Sequence, residues 1–484
     1  MIELRDYQRV LVDGARANLR AGVRRQLLVG PTGCGKTVVA AFIHGGAAQR
    51  GLTTWFCVHR REIIDQTADT FANVGIDFGL VVAGEPMRPD ARVQLCSVQT
   101  LANRMDQLPK PRGIVWDECH HIVSATHAGI ADANPDAWQI GVTATPLRLD
   151  GKGLRPFFDR IVVGPTTGEL IRRGFLAPYR YFAPGQPDLV GVRASHGDFN
   201  RGDLEKLMDE PKLIGEAVAT YRDLADGKRA IIFETSVATS QSVTAAFTAA
   251  GIPALHVDGA MDKRDRKAAF AAFREGRIRV LSNVELAGEG VDIPAIEAVI
   301  LRRPTQSLSL YLQQVGRGLR LFEGKSEAII IDHAGNAFRH GLPDDPREWT
   351  LDGKEKRAGP KVGSDAVPIH QCPTCYRITG SIVRTCPGCG YEFTIEARSV
   401  AWAEGQLFEL NRLGVAEREA EHKRTRDREK AEERGASLGE LMELARARNA
   451  VTPGRYKDAR KWALMKLQLR EQWKSGGRKR FGAR

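Results

Sequence analysis

The sequence predicts an α/β fold of two tandem parallel-sheet domains, followed by a small cysteine-bearing module and a basic helical tail. Three observations predict it. Apolar runs of strand length alternate with helix-length segments, and after an irregular stretch the alternation starts again. A chain of 484 residues is too long for a single hydrophobic core. Beyond Pro343 the texture turns polar, then cysteine-rich, then strongly charged. Hydrophobic residues at 42% and charged residues at 27% are ordinary globular values, which excludes collagen-like and wholly disordered classes. No apolar stretch reaches the roughly 18 residues that a spanning helix needs.

In order along the chain, Gln26–Val29, Thr54–Val58, Val93–Ser97, Ile114–Trp116 and Gln139–Val142 read as buried strands, with helices such as Val38–Gln49 and Arg61–Phe71 between them. Strand and helix in alternation imply right-handed crossovers and a sheet covered on both faces. This first domain takes residues 1–163. A Gly/Pro-rich stretch, 164–211, reads as a connection. The second domain, 212–340, repeats the pattern in Ala230–Phe233, Ala254–Val257, Val280–Ser282, Ala298–Leu301 and Ala328–Ile331, with a helix over Asp262–Glu275. Residues 341–369 read as a linker, 370–395 as the cysteine module and 396–484 as a charged helical tail. Within the tail, Glu417–Arg434 carries charges of both signs, as a solvated helix does. Ser437-Leu438-Gly439-Glu440 has capping-box spacing. Trp462 and Trp473 fall on an apolar stripe whose plain reading is a packing face, with base stacking as the alternative.

The formal charge is +12, and its location matters more than its size. Between Arg446 and Arg484 there are thirteen Lys and Arg against Asp458 and Glu471, so nearly all of the excess lies there. A polyanionic partner at that end is expected, the alternative being a solubilising tail. Of eight cysteines, four are scattered through the first third and four form two C-x-x-C pairs. The first residues hold no basic segment leading into an apolar run, so a reducing, cytoplasmic compartment is expected, where such pairs favour metal over disulfide.

Gly30-Pro31-Thr32-Gly33-Cys34-Gly35-Lys36-Thr37 matches G-x-x-x-x-G-K-[ST] between a strand and a helix, the context that a phosphate-binding loop requires. Glycines let backbone N–H groups wrap phosphates, Lys36 reaches the β/γ-phosphates and Thr37 faces Mg²⁺. The strand Ile114–Trp116 leads into Asp117 and Glu118. At a strand's carboxyl end both carboxylates can turn into one cleft, Asp117 to hold Mg²⁺ through water and Glu118 to activate the attacking water. Two further junctions, Thr143-Ala144-Thr145-Pro146 and Ser97-Val98-Gln99-Thr100, bear hydroxyls that could equally cap the next helix.

Together these residues resemble helicases of superfamily 2, DEAD/DEAH type, over about Leu4 to Asn336. The resemblance implies two RecA-like domains and a motor that couples ATP hydrolysis to movement on nucleic acid. It assigns Gln8, in Leu4-Arg5-Asp6-Tyr7-Gln8, to adenine reading. It places Arg60, Ser97, Gln99, Thr100 and Ser236 on nucleic acid, and Asp117-Glu118-Cys119-His120 in a DECH box. Gln313-Gln314-Val315-Gly316-Arg317-Gly318-Leu319-Arg320 fits Q-x-x-G-R-x-x-R, which puts Gln313, Arg317 and Arg320 on the γ-phosphate from the second domain. Guanidinium groups offered across a cleft can stabilise charge on a transferring phosphoryl group. Asp292 matches the motif that touches ATP, while Gly288 stands where relatives have Thr or Ser. Arg302–Tyr311 and Asp332–Asn336 resemble the bacterial RadD proteins, themselves similar to XPB-type and phage DNA helicases.

Cys372, Cys375, Cys386 and Cys389 pair as two knuckles ten residues apart, enough for a hairpin to gather four thiolates around one structural Zn²⁺. Pro343-Asp344 with Asp352-Gly353-Lys354 mimics a nuclease site, but lies in polar sequence with no strand to hold it. The expected function is an ATP- and Mg²⁺-dependent DNA helicase or translocase. An RNA helicase and an ATP-switched binding or annealing protein are the alternatives.

Overall fold

The computed structural model describes residues 3–59, 61–119, 125–148, 153–184, 187–195, 197–284, 295–353, 369–381, 383–393, 436–451, 458–460, 463–464 and 466–467. The chain divides into two compact units, Met1–Ile395 and Glu396–Arg484, and the first holds both large sheets.

The first domain runs α1 (Asp6–Arg20), β1 (Arg25–Val29), α2 (Lys36–Ala48), β2 (Thr54–Val58), α3 (Arg61–Asn73), β3 (Gly79–Val81), β4 (Val93–Ser97), α4 (Val98–Arg104), β5 (Gly113–Asp117), α5 (Ala125–Asp132), β6 (Trp138–Thr143) and β7 (Arg160–Val163). Its strands form one sheet in the order β3-β4-β2-β5-β6-β1-β7, parallel throughout. Successive residues point to opposite faces, yet Trp55, Phe56, Cys57, Ile114, Val115 and Trp116 are all buried. Each face has its own core, one around Leu28, Phe56, Val115 and Ile140, the other around Leu27, Trp55, Ile114 and Trp116. That is why these strands read as unbroken apolar runs.

The chain then carries α6 (Thr167–Arg172), β8 (Tyr179–Phe182), the short hairpin of β9 (Ala194–Ser195) and β10 (Asp198–Phe199), and α7 (Arg201–Met208). After these come α8 (Pro211–Ala225), β11 (Ala230–Phe233), α9 (Val237–Ala249), β12 (Ala254–Val257), α10 (Lys263–Arg274), β13 (Val280–Asn283), β14 (Ala298–Leu301), α11 (Leu308–Gly318), β15 (Ala328–Asp332) and α12 (Asn336–His340). The second sheet has the order β12-β13-β11-β14-β15-β8 and is also parallel. Three of its strands, β11, β12 and β14, have the ends expected from the sequence. The connection is more than a connection, because β8 completes this sheet. Arg302, fully buried, pairs with Glu234 at 2.6 Å and donates to the carbonyls of Leu213 and Met208, both at 2.6 Å, which ties α7 and α8 to the sheet.

The expected linker, 341–369, also needs correcting over its first part. Trp349 and buried Leu351 pack into the first domain's core, Arg155 pairs with Asp352 at 2.5 Å, and the Arg155 N–H donates to the Leu351 carbonyl at 2.9 Å. Arg347 braces this strap by donating to the carbonyls of His340, Leu342, Pro343 and Asp345. The nuclease-like carboxylates are engaged elsewhere, Asp344 with the Tyr179 hydroxyl and Asp352 with Arg155.

The cysteine module is a small antiparallel hairpin, β16 (Ile369–Gln371) and β17 (Ile378–Gly380), docked at the carboxyl end of β8. The Ala183 N–H donates to the Tyr376 carbonyl at 3.2 Å, the Gln371 amide donates to the Ala183 carbonyl, and Phe182 bridges to Arg377. In the C-terminal unit, α13 (Leu438–Val451) starts at the expected capping box: Ser437 N donates to Glu440 Oε2 at 2.7 Å and Glu440 N to Ser437 Oγ at 3.4 Å. Glu417–Arg434, Trp462 and Trp473 lie outside the described residues.

Candidate functional site

Strands β5, β6 and β1 lie side by side, and their carboxyl ends set out one wall of a cleft. Asp117 is in register with Val142 and Thr143 with Val29, and the Gly30 N–H donates to the Thr143 carbonyl at 3.1 Å. The loop after β1 turns through Gly33 (φ 88°) and Gly35 (φ 82°), conformations that glycine adopts freely. Gly35 is also needed for space, because a Cβ there would lie 2.4 Å from the Gln8 amide nitrogen. Gln8, buried, donates to the Cys34 carbonyl at 3.0 Å and accepts from the Arg5 N–H at 3.0 Å, so it fixes the loop to the start of α1. Lys36 opens α2, with Nζ 3.2 Å from the Gly30 carbonyl and 3.4 Å from that of Pro31.

Asp117 ends β5, and Glu118 follows with φ 44°, a left-handed conformation that few non-glycine residues adopt. That twist breaks the strand's alternation, and both carboxylates line the same cavity. Burial pushes the Asp117 carboxyl up to about 7, with the neighbouring Glu118 charge adding to the effect and Lys36 opposing it. A site that penalises its own negative charge in this way suits a divalent cation, and Thr37 lines the cavity with them.

The other wall is α11. Ser307 caps it by accepting from the Leu310 N–H at 3.2 Å, and Gln313, Arg317 and the following Arg320 reach the cavity, which measures about 1150 Å³. Gln313 and Arg317 are 3% and 4% exposed. The Gln313 Nε2 is buried with no hydrogen-bond partner among the described residues, so this amide donor is open to a ligand oxygen. Domain meets domain closely here. A Cβ on Gly316 would lie 2.5 Å from the Thr32 Cβ, and Thr145 Oγ1 donates to Ser309 Oγ at 2.5 Å. Of the sequence-derived phosphate-side residues, Thr32, Gly33, Gly35, Lys36, Thr37, Asp117, Glu118, Gln313, Arg317 and Arg320 line this one cleft, Gln8, Gly30, Pro31 and Cys34 lie behind it in the loop and its support, and Asp292 is outside the described residues.

Arg5, Phe175 and three residues of α10 in the lining were not foreseen. Arg5 stacks over the Phe175 ring at 4.7 Å, Tyr7 meets Phe175 edge-on at 5.0 Å, and Arg173 lies over both rings. From α10 come Arg266, Lys267 and Arg274. Arg5 was readable, since it lies within the same short run as Gln8. Phe175 was not, because only the fold brings it to α1.

The nucleic-acid candidates are elsewhere, at the carboxyl ends of β4 and β11. The Ser97 hydroxyl makes no cap bond to α4; it donates to Gln99 Oε1 at 3.0 Å, and Gln99 Nε2 meets His59 Nδ1 at 3.2 Å. Thr100 is half-buried on α4. Ser236 does cap α9, accepting from the Thr239 N–H at 3.2 Å. Arg60 and His120 lie outside the described residues.

The four module cysteines bring their sulfurs within 4.8 Å of one another. Cys372 and Cys389 are 3.4 Å apart and Cys375 and Cys386 3.5 Å, spacings that fit the edges of a ZnS₄ tetrahedron.

Comparison with known proteins places the fold. Residues 1–148 match the family described as "Type III restriction enzyme, res subunit" and residues 211–322 the "Helicase conserved C-terminal domain". The chain is 36% identical over 374 residues to a 51.5 kDa protein of a Lactococcus phage, covering 77% of this chain and 79% of that one. The chain belongs to helicase superfamily 2. As in that family generally, this helicase is a nucleic-acid-dependent ATPase, and the family implies ATP and Mg²⁺. It is 29% identical to the Saccharomyces cerevisiae protein IRC3, named as an ATP-dependent helicase, and spans about half (51%) of its length. It is 26% identical to "DNA 3'-5' translocase XPB2" of Sulfurisphaera tokodaii, covering 68% of this chain and 81% of that one. Among solved structures, the ATP-dependent Type ISP restriction-modification enzyme LlaBIII bound to DNA superposes with a TM-score of 0.53 at 18% identity, over 69% of this chain and 28% of that one. That likeness speaks for the fold. Among the described residues, no helix is long and apolar enough to cross a membrane.

Proposed function

We propose that this helicase is an ATP-dependent DNA helicase or translocase. The observation that carries the reading is the contact of Thr32, in the phosphate loop, with Gly316, one residue before Arg317. It brings the two halves of a hydrolytic site together from different domains. Gly30 to Gly35 cradle the phosphates, Lys36 pairs with them, and Glu118 orients and deprotonates the attacking water. Thr37 and Asp117 would hold Mg²⁺, which when bound neutralises charge on the phosphate oxygens. Gln313 donates its free amide to the γ-phosphate, while Arg317 and Arg320 stabilise the charge that builds on it. The flat faces of Arg5 and Phe175 suit a purine ring at the far end, with Gln8 bracing the loop beneath it. Because both domains grip one ligand, hydrolysis loosens their contact, and a strand held at the carboxyl ends of β4 and β11 is moved.

DNA is preferred as the track because one relative is named as a DNA translocase and aligns with this chain over 81% of its own length. The four thiolates of the cysteine module would hold Zn²⁺ in a structural role, since they leave no open position for chemistry. The test is ATP turnover with single-stranded DNA, duplex DNA and RNA, for the wild type and Lys36→Ala. Stimulation by DNA that the variant loses is expected. Stimulation by RNA alone makes it an RNA helicase, and no stimulation by any polymer sinks the motor.

A further inference from the structure

The cysteine module is built from two loops of matching geometry. In the first, the Tyr376 N–H donates to the Cys372 carbonyl at 2.9 Å and the Cys372 N–H to the Arg377 carbonyl at 2.9 Å. In the second, Gly390 donates to Cys386 at 2.9 Å and Cys386 to Tyr391 at 2.7 Å. Tyr376 and Gly390 are therefore structural equivalents. Both are left-handed, with φ 59° and 76°. Glycine takes that conformation without steric penalty, whereas a Cβ and a ring make it unfavourable. Burial does not offset the strain, because Tyr376 remains 46% exposed. An aromatic ring held in solvent, at a position that its twin fills with glycine, points to use of the ring itself.

The rest of the module says what for. Tyr391 is 37% exposed and sits edge-on to Phe393 at 5.6 Å, Phe393 stacks on His370 at 4.4 Å, and Arg384 is exposed on the same module. The Tyr376 carbonyl is bonded at Ala183, just past the carboxyl end of β8. Ser236 follows the carboxyl end of β11 in the same parallel sheet, and ligands of such sheets bind along that edge. We propose that Tyr376, with Tyr391 and Arg384, is a base-stacking contact for single-stranded nucleic acid running off the carboxyl edge of the second sheet. The inference rests on the motor reading above. Every base has a π-face, so the contact is indifferent to sequence, and the arginine meets the phosphates.

The experiment uses the full zinc-loaded chain and a fluorescein-labelled oligothymidylate. Tyr376→Gly and Tyr376→Asn both accept a left-handed backbone, so they keep their zinc and melt at or above the wild-type temperature. Their affinity for the oligonucleotide falls about five-fold or more, and Tyr376→Phe retains it. Wild-type affinity in the Gly and Asn variants overturns the inference and leaves the motor reading standing. Failure of the wild type itself to bind, with no stimulation of its ATPase, overturns both.

Discussion

Gly316 shows what a single residue can decide. Between Gln313 and Arg317 its lack of a side chain lets Thr32 approach, and a Cβ would meet the Thr32 Cβ at 2.5 Å. Gly316→Ala should prop the cleft by a fraction of an ångström, displace Arg317 and Arg320, and cost roughly 100-fold in kcat. ATP binding to the first domain should persist. Steady-state turnover with fluorescent-nucleotide binding checks this, and full activity would mean that the contact is absent when hydrolysis occurs. Lys325, half-buried, donates to the carbonyls of Ile296 and Arg320 at 2.7 and 3.0 Å and steadies the stretch after α11 from which Arg320 extends. The roles proposed for Lys36, Asp117 and Glu118 were legible in the sequence because each lies in a short motif whose spacing is its own evidence. The reason for Gly316 was not, since its partner lies on another domain and 284 residues earlier in the chain.

At the scale of elements, legibility followed burial. β11 and β14 are interior strands of four consecutive buried apolar residues, and their ends were read directly; β12, a half-buried edge strand interrupted by His256, was still legible because its apolar residues sit between the turn at Gly251-Ile252-Pro253 and the next helix. β8 was missed because Tyr179-Arg180-Tyr181-Phe182 is half polar, sits at a sheet edge and pairs with β15 about 150 residues later. The cysteine module leans on that edge strand, so its integrity should matter to the second domain. Stripping zinc with a strong chelator is expected to lower the melting temperature and expose the second domain first to protease. An unchanged melt with all zinc released would show that the hairpin is an independent appendage. The tail is a matter of charge. Removing Arg446–Arg484 should weaken DNA binding and flatten the slope of log affinity against log salt, whereas an unaltered slope would mark the segment as solubilising only.

At the scale of the molecule, the sequence disclosed two domains and a cleft between them, but not how they are joined. It read as a single connection. The structure has two crossings: one through α6 into β8, and a return through the strap that places Trp349 and Leu351 in the first domain's core. What looked like polar linker therefore ties the end of the second domain back into the first domain's core, and its signal was weak because two apolar residues suffice to anchor it. Val190, 90% exposed, lies between the crossings. A single protease cut there leaves one fragment supplying β8 to the second sheet and the other supplying Leu351 to the first core. The nicked chain should run as two bands in denaturant and elute as one species in native gel filtration, whereas separate peaks would show that the strap does not hold. Such mutual exchange of parts makes the second domain an insertion in the first rather than a successor to it. A body pinned at both ends of its chain has one easy rotation instead of three, so each ATP cycle should open and shut the cleft along a single arc.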